Sequence, residues 1–308
     1  MKYYLLVLRP LNLVLLACMQ LVFHFGFLKL QNIPLALQDW QFGLLVVATV
    51  CIAGAGYIIN DIYDQETDRI NRPQKVIIGK HIDEKNANNL YIILNIIGVG
   101  IGFYLSNFIG KPMFAGLFIL IAFGLYFYAT QLKQSLLIGN FIIAAILGLS
   151  VIIIAIYDLY PVITDANRPA MNVLFRIILD YALFAFFINF IREIIKDLED
   201  IKGDYNQGMN TLPIALGVGR TKKLTVILSI LALVLILLYI NKNLASNNLL
   251  YATVYCLLCI AGPLIFIIIK LFSAQKPTDF HNLSRVAKLI IFFGIFSILI
   301  ITLNILYA

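Results

Sequence analysis

Six aspartates in this 308-residue chain fall into two triplets with one spacing. Asp61, Asp64 and Asp68 stand at i, i+3 and i+7, and so do Asp197, Asp200 and Asp204. At about 100° per residue, such a triplet lies within a stripe roughly 60° wide on one helix face. Like charges that close repel by a few tenths of a kcal/mol per pair, so each ridge predicts something cationic against it. Mg²⁺ takes oxygen ligands in octahedral geometry and typically combines one or two carboxylates with waters and substrate phosphates. Two facing ridges could hold two or three such ions with a diphosphate bridging them. Diphosphate neutralised by metal is a good leaving group. All six aspartates are therefore candidate metal ligands.

Basic residues flank both ridges: Arg69, Arg72, Lys75, Lys80, Arg192, Lys196 and Lys202. Together with Lys133 they could contact phosphate through charge-assisted hydrogen bonds, with Arg offering a bidentate fork. Asp68 and Glu193 are candidate acceptors for a hydroxyl proton, and Arg72 completes the candidate catalytic set. An allylic cation would gain from aromatic faces, for which Tyr57, Tyr63, Phe123, Tyr126 and Tyr128 are candidates.

The rest of the chain must position these polar groups, and it is greasy. Hydrophobic residues make up 61%, charged residues 13%, and the mean hydropathy is +0.92. Soluble domains carry about 25% charged residues. Apolar runs long enough to cross a bilayer predict nine spans near 4–25, 41–59, 89–107, 113–129, 136–157, 172–190, 222–240, 248–270 and 286–306. The fold class is an all-α polytopic membrane bundle forming a single domain over residues 1–308. Arg9-Pro10 interrupts the first apolar run, which argues against a cleavable leader. With nine spans, 18 of the 23 Lys and Arg residues fall on the side of the N-terminus. That bias predicts a cytoplasmic N-terminus. Both acidic ridges then lie at cytoplasmic helix ends, in polar cap segments at about 60–88 and 191–221. Aspartate facing lipid at mid-bilayer costs about 2.5–3.5 kcal/mol, so a water-accessible cavity at the membrane surface is expected. The net charge of +7 is spread between spans and does not point to nucleic acid. The four cysteines lie in apolar runs, and Cys256-x-x-Cys259 reads as packing. The three histidines form no metal pattern.

The run Asn60-Asp61-x-x-Asp64-x-x-x-Asp68-x-x-Asn71-Arg72-Pro73 closely resembles the first signature of the UbiA superfamily of intramembrane prenyltransferases. Asp200-x-x-x-Asp204-x-x-x-Gly208-x-x-Thr211-Leu212 resembles the second. Tyr128 to Lys133, followed by Gly139-Asn140, is similar to the segment between them. The resemblance covers about residues 5–220. It implies Mg²⁺ dependence and transfer of a prenyl group from its diphosphate to a lipophilic acceptor. The protein is expected to be integral to a bacterial or archaeal plasma membrane, and the Lys and Arg bias predicts a site open to the cytoplasm. Asn60, Arg72, Lys75, Lys133, Arg192 and Lys196 become the candidate substrate-binding residues. The stretch from Arg192 to Asp204, followed by Thr211-Leu212-Pro213, resembles the geranylgeranylglyceryl-phosphate geranylgeranyltransferase branch, which makes ether lipids. After Arg72-Pro73, however, Val76-Ile77-Ile78-Gly79-Lys80 replaces the Pro-Ile-Pro-Ser-Gly type run of many members. An aromatic acceptor, as in quinone biosynthesis, stays open at this point.

Two other classes fit these residues less well. CDP-alcohol phosphotransferases need paired carboxylate motifs close together beginning Asp-x-x-Asp-Gly, but residue 65 is Gln and the second cluster is distant. Cation transporters place carboxylates near the bilayer midplane on broken helices, whereas these aspartates gather at span ends.

Overall fold

The computed structural model describes residues 2–74 and 76–307. Among these, nine helices are long and apolar enough to cross a membrane. They are α1 (Pro10–Gln31), α2 (Asp39–Tyr63), α3 (Glu84–Phe108), α4 (Pro112–Thr130), α5 (Ile138–Val162), α6 (Arg168–Asn206), α7 (Val218–Asn247), α8 (Leu250–Ser273) and α9 (Pro277–Leu306). No strand occurs among the described residues, only an isolated bridge between Ile78 and Ile82. The all-α bundle and its nine spans follow the sequence expectation, with end points shifted by several residues. Large apolar side chains such as Leu11, Ile96, Phe103 and Leu258 point outward, as expected where lipid replaces water.

Two apolar cores run through the bundle. One gathers residues of α1–α6, including Phe42, Phe118 and Tyr157; the other gathers residues of α6–α9, including Leu264, Leu271 and Phe280. Helices α6 and α9 contribute to both cores and join the two halves. In lipid, apolar burial alone does not drive helix association, so close backbone approach by small residues matters more. Helix α3 carries the glycines that dilute its hydropathy, and two of them are seats for neighbours. A Cβ on Gly98 would lie 2.6 Å from Ile52 Cγ1, and one on Gly102 would lie 2.3 Å from the Phe118 ring. The weakest span by hydropathy is thus a tightly packed one.

The end of the bundle remote from the aspartates is closed by buried polar contacts. His24, in a π-helical turn of α1, places Nδ1 2.7 Å from Asp158 Oδ2, with both side chains fully buried. Asp158 Oδ1 accepts from the Leu37 amide at 3.3 Å, and Lys29 pairs with Asp39. These contacts tie α1, the connection to α2, and the end of α5 together. The other end is where the site forms.

Helix α6 is the longest element. Its 39 residues span roughly 58 Å at 1.5 Å per residue, far beyond the ~30 Å hydrocarbon core. The excess carries residues 191–206 out of the apolar layer as uninterrupted helix, so the second ridge stands on one rigid rod. The first ridge does not. Helix α2 ends at Tyr63, Asp64 leaves helical geometry with φ −91° and ψ 0°, and a short helix, Gln65–Asn71, resumes.

Candidate active site

That break separates the first triplet. Asp61 does not line the cavity that the other five aspartates share; its carboxylate pairs with Arg9. Arg9 sits in the left-handed region at φ 51°, a conformation that costs a non-glycine residue about 1–2 kcal/mol. The guanidinium carbon lies 5.0 Å from the centre of the Tyr57 ring, and Pro10 begins α1 immediately after. Arg9 is thus fixed over the site from the start of the first span. The Arg9-Pro10-x-Asn12 segment marks it in the sequence, but its partner is 52 residues away.

Asp64, Asp68, Asp197, Asp200 and Asp204 line one cavity of about 280 Å³, with Asn60, Arg72, Lys133, Arg192, Glu193 and Lys196. Of the sequence-derived site residues, Asp61 turns to Arg9, Arg69, Lys80 and Lys202 do not line the cavity, and Lys75 lies outside the described residues; the rest are brought together. Of the five aromatic candidates, Tyr57 and Tyr128 line the cavity; Tyr63, Phe123 and Tyr126 are exposed away from it. The cavity floor is apolar, with Ile52, Phe118, Ile121, Leu125 and Ile146.

Side-chain cations lie against two of the carboxylates, the electrostatic relief that clustered aspartates require. Lys133 bonds Asp64, which also accepts from Asn60 Nδ2. Arg72 Nη2 reaches Asp200 Oδ1 at 2.8 Å and Glu199 Oε1 at 2.8 Å. His281 Nδ1 lies 2.9 Å from the same Glu199 oxygen. Burial works against the Lys133 ammonium, yet Asp64 and its hydrogen bond outweigh it and hold the pKa above the usual lysine value. Asp68 makes no side-chain hydrogen bond among the described residues, and burial followed by the Asp64 charge pushes its pKa up. Glu193 is engaged on both sides, by Arg192 Nη1 at 3.0 Å and Lys196 Nζ at 2.8 Å.

Four residues without an assigned role in the sequence reading hold these groups in place. Asn71 donates from Nδ2 to the Asp200 carbonyl at 2.9 Å and accepts the Gly203 amide on Oδ1 at 2.8 Å. A Cβ on Gly203 would fall 2.3 Å from Asn71 Nδ2, so glycine is needed for that clamp. Asn140 Nδ2 donates to Asp197 Oδ2 at 2.7 Å. Gly139 lets the turn Leu132–Gln134 fold against the start of α5, since a Cβ there would meet the Leu132 carbonyl at 2.5 Å; that turn carries Lys133. Asn71, Gly139, Asn140 and Gly203 all fall within the quoted motifs, so their positions were legible although their contacts were not.

The donor set suits Mg²⁺ with diphosphate better than a metal caged by protein alone. Among the described residues, no group of three or more His, Cys, Asp or Glu side chains is close enough to enclose an ion. The carboxylates instead face each other across a cavity with cations between them. Hard oxygen donors and room for phosphate and water are what Mg²⁺ requires.

The chain is similar over nearly its whole length to known proteins. Residues 12–302 match the model of the UbiA prenyltransferase family. It is 33% identical over 270 residues to a digeranylgeranylglyceryl phosphate synthase of Saccharolobus solfataricus, covering 87% of this chain and 88% of that one. The identity to the enzyme of the same name from Methanosphaera stadtmanae is 30% over 252 residues, covering 80% and 83%. Among solved structures, one described with digeranylgeranylglyceryl phosphate synthase in membranes superposes with a TM-score of 0.65 at 23% identity over 98% of both chains. A UbiA homologue from Archaeoglobus fulgidus, bound to GPP and Mg²⁺, superposes with a TM-score of 0.58 at 14% identity over 96% and 99%. These two likenesses establish the fold. With nine apolar helices and a family match from α1 to α9, the chain is an integral membrane protein and belongs to the UbiA prenyltransferase family.

Proposed function

We propose that the chain transfers a prenyl group from a prenyl diphosphate to the free hydroxyl of a prenylglyceryl phosphate, forming an ether lipid. The observation that carries this reading is the shared cavity. Five aspartates from two ridges line a polar mouth, and an apolar floor of about the right chemistry for an isoprenoid lies beneath it. The names of the relatives at 30–33% identity support the choice of acceptor, as does the surplus of cations around the mouth. The A. fulgidus homologue bound to GPP and Mg²⁺ supports the donor and the metal. The placement of 18 of the 23 basic residues on one side supports a mouth open to the cytoplasm.

Asp64, Asp68, Asp197, Asp200 and Asp204 would hold Mg²⁺, while Asp61 serves by fixing Arg9. Bound Mg²⁺ supplies neutralisation of the diphosphate charge as it leaves. Arg72 and Lys133, already poised on Asp200 and Asp64, would bind diphosphate oxygens, and Asn60 would orient Asp64. The apolar floor keeps water from the reacting carbon, and Tyr57 and Tyr128 present aromatic faces to developing positive charge. The C1–O bond to diphosphate breaks with its electron pair on diphosphate. The acceptor oxygen bonds C1, and its proton passes to a carboxylate. Asp68 fits that role better than Glu193, whose oxygens are held by Arg192 and Lys196. The test is incubation of purified protein with labelled prenyl diphosphate and a prenylglyceryl phosphate. Mg²⁺-dependent appearance of label in the ether lipid is expected; no transfer to any lipophilic acceptor, with or without Mg²⁺, contradicts the reading.

A further inference from the structure

A second cavity, of about 220 Å³, adjoins the first. The two share Asn12, Leu16, Ala53, Tyr57, Leu147, Ser150 and Arg192 on their walls. The second runs between α1, α6 and α9 and is almost wholly apolar, bounded by residues such as Met19, Phe23, Phe184, Ile236, Ile260 and Ile291. Two of its polar lining residues are cations, Arg192 on the shared wall and Lys288 bonded to Asn12 of that wall. Lys288 of α9 bonds only the Asn12 side chain and has no carboxylate partner among the described residues. Arg192 of α6 pairs with Glu193 through Nη1, but its Nε is buried and unpartnered. The two cations lie within each other's field. Like charges beside an apolar cavity, with a buried donor left over, cost free energy unless an anion joins them.

We infer that Lys288 and Arg192 seat the phosphate of the acceptor, with its own prenyl chain in this second cavity. The inference rests on the proposed prenylglyceryl phosphate acceptor and assigns it residues distinct from the diphosphate site. The occupant follows from charge and shape together: a monoanionic or dianionic head at two cations, and one long apolar tail in the cavity beneath. The donor tail then occupies the floor between α2, α4 and α5, so the two prenyl chains lie in separate cavities and meet at the shared wall. A phosphate held at the junction leaves the adjacent glycerol hydroxyl directed at the first cavity. Lys288 and Arg192 are thus specificity-determining residues that reject acceptors lacking the phosphate.

The test compares a prenylglyceryl phosphate with the corresponding dephosphorylated prenylglycerol, using the full-length protein in detergent or nanodiscs. In the wild type, kcat/KM should favour the phosphate strongly. In Lys288→Met, KM for the phosphate acceptor should rise on the order of tenfold or more, the worth of a hydrogen bond to a charged group. Preference over the alcohol should shrink by the same factor, with KM for prenyl diphosphate unchanged. Lys288→Arg should restore most of the preference. Acceptor binding measured without donor or Mg²⁺ should weaken in parallel, and excess inorganic phosphate should not substitute for the amphiphile. If wild type prenylates the phosphate acceptor but Lys288→Met and Arg192→Lys both keep full preference for it, the inference fails and the proposed function stands. If wild type prenylates only an acceptor without phosphate, both fail.

Discussion

Asp64 and Asp200 face the same cavity from opposite elements, each against a cation that diphosphate would reclaim. Replacing either by Ala removes a hard oxygen donor from the mouth and leaves Lys133 or Arg72 unpaired. Asp64→Ala and Asp200→Ala are each expected to lower turnover on the order of 100-fold or more, the usual cost of one preorganised electrostatic group. Thermal unfolding should change little beside that loss. Initial rates at saturating Mg²⁺ check this, and near-wild-type rates for both variants would contradict the metal-site assignment. At this scale the sequence was informative because spacing alone groups the aspartates. It could not reveal that Asp61 pairs with a guanidinium, because that group comes from Arg9 at the start of the first span. Nor could it reveal that Glu193 is held between two cations and so is a weaker candidate for the proton than Asp68.

The two ridges reach one another through particular joints between elements. Asn71 closes the short helix Gln65–Asn71 against α6, bonding the backbone at Asp200 and Gly203. Gly203→Ala would drive a methyl into the Asn71 amide, and Asn71→Ala would leave the cavity mouth without its cross-brace. Both variants are expected to cut turnover by about 10–100-fold, as loss of outer-shell support at metal sites does. The break at Asp64 explains the sensitivity: the first ridge lacks the continuous helix that stiffens the second. Mg²⁺ titrations of activity should show a raised requirement for the ion in both variants. An unchanged Mg²⁺ requirement with lowered activity would instead indicate a packing role alone. Helix identity was readable from apolar run length, and α3 was recognisable despite its glycines. Their purpose emerged only with Ile52 and Phe118 packed onto Gly98 and Gly102, contacts that no local pattern encodes.

As a whole molecule, the chain is a bundle with a polar mouth at one end and a buried His24–Asp158 closure at the other. The proposed topology, in which the Lys- and Arg-rich end meets the cytoplasm, rests on the positive-inside bias. Single cysteines introduced at positions 66 and 202 are therefore expected to label from the cytoplasmic side in intact cells or oriented vesicles. Labelling of the two from opposite sides would overturn the topology. The bundle, its span number and the meeting of the ridges were all legible in hydropathy and charge. The second cavity was not, because it is assembled from α1, α6 and α9 and its Lys288–Asn12 contact joins residues 276 apart. Acceptor competition probes the proposed reaction without intermediaries. Purified protein is supplied with Mg²⁺, prenyl diphosphate, and equal amounts of a prenylglyceryl phosphate and a hydroxybenzoate or naphthoate, and the products are read by mass spectrometry. The ether-linked glyceryl phosphate is expected as the dominant product; prenylated aromatic acid with no ether lipid would overturn the proposed acceptor.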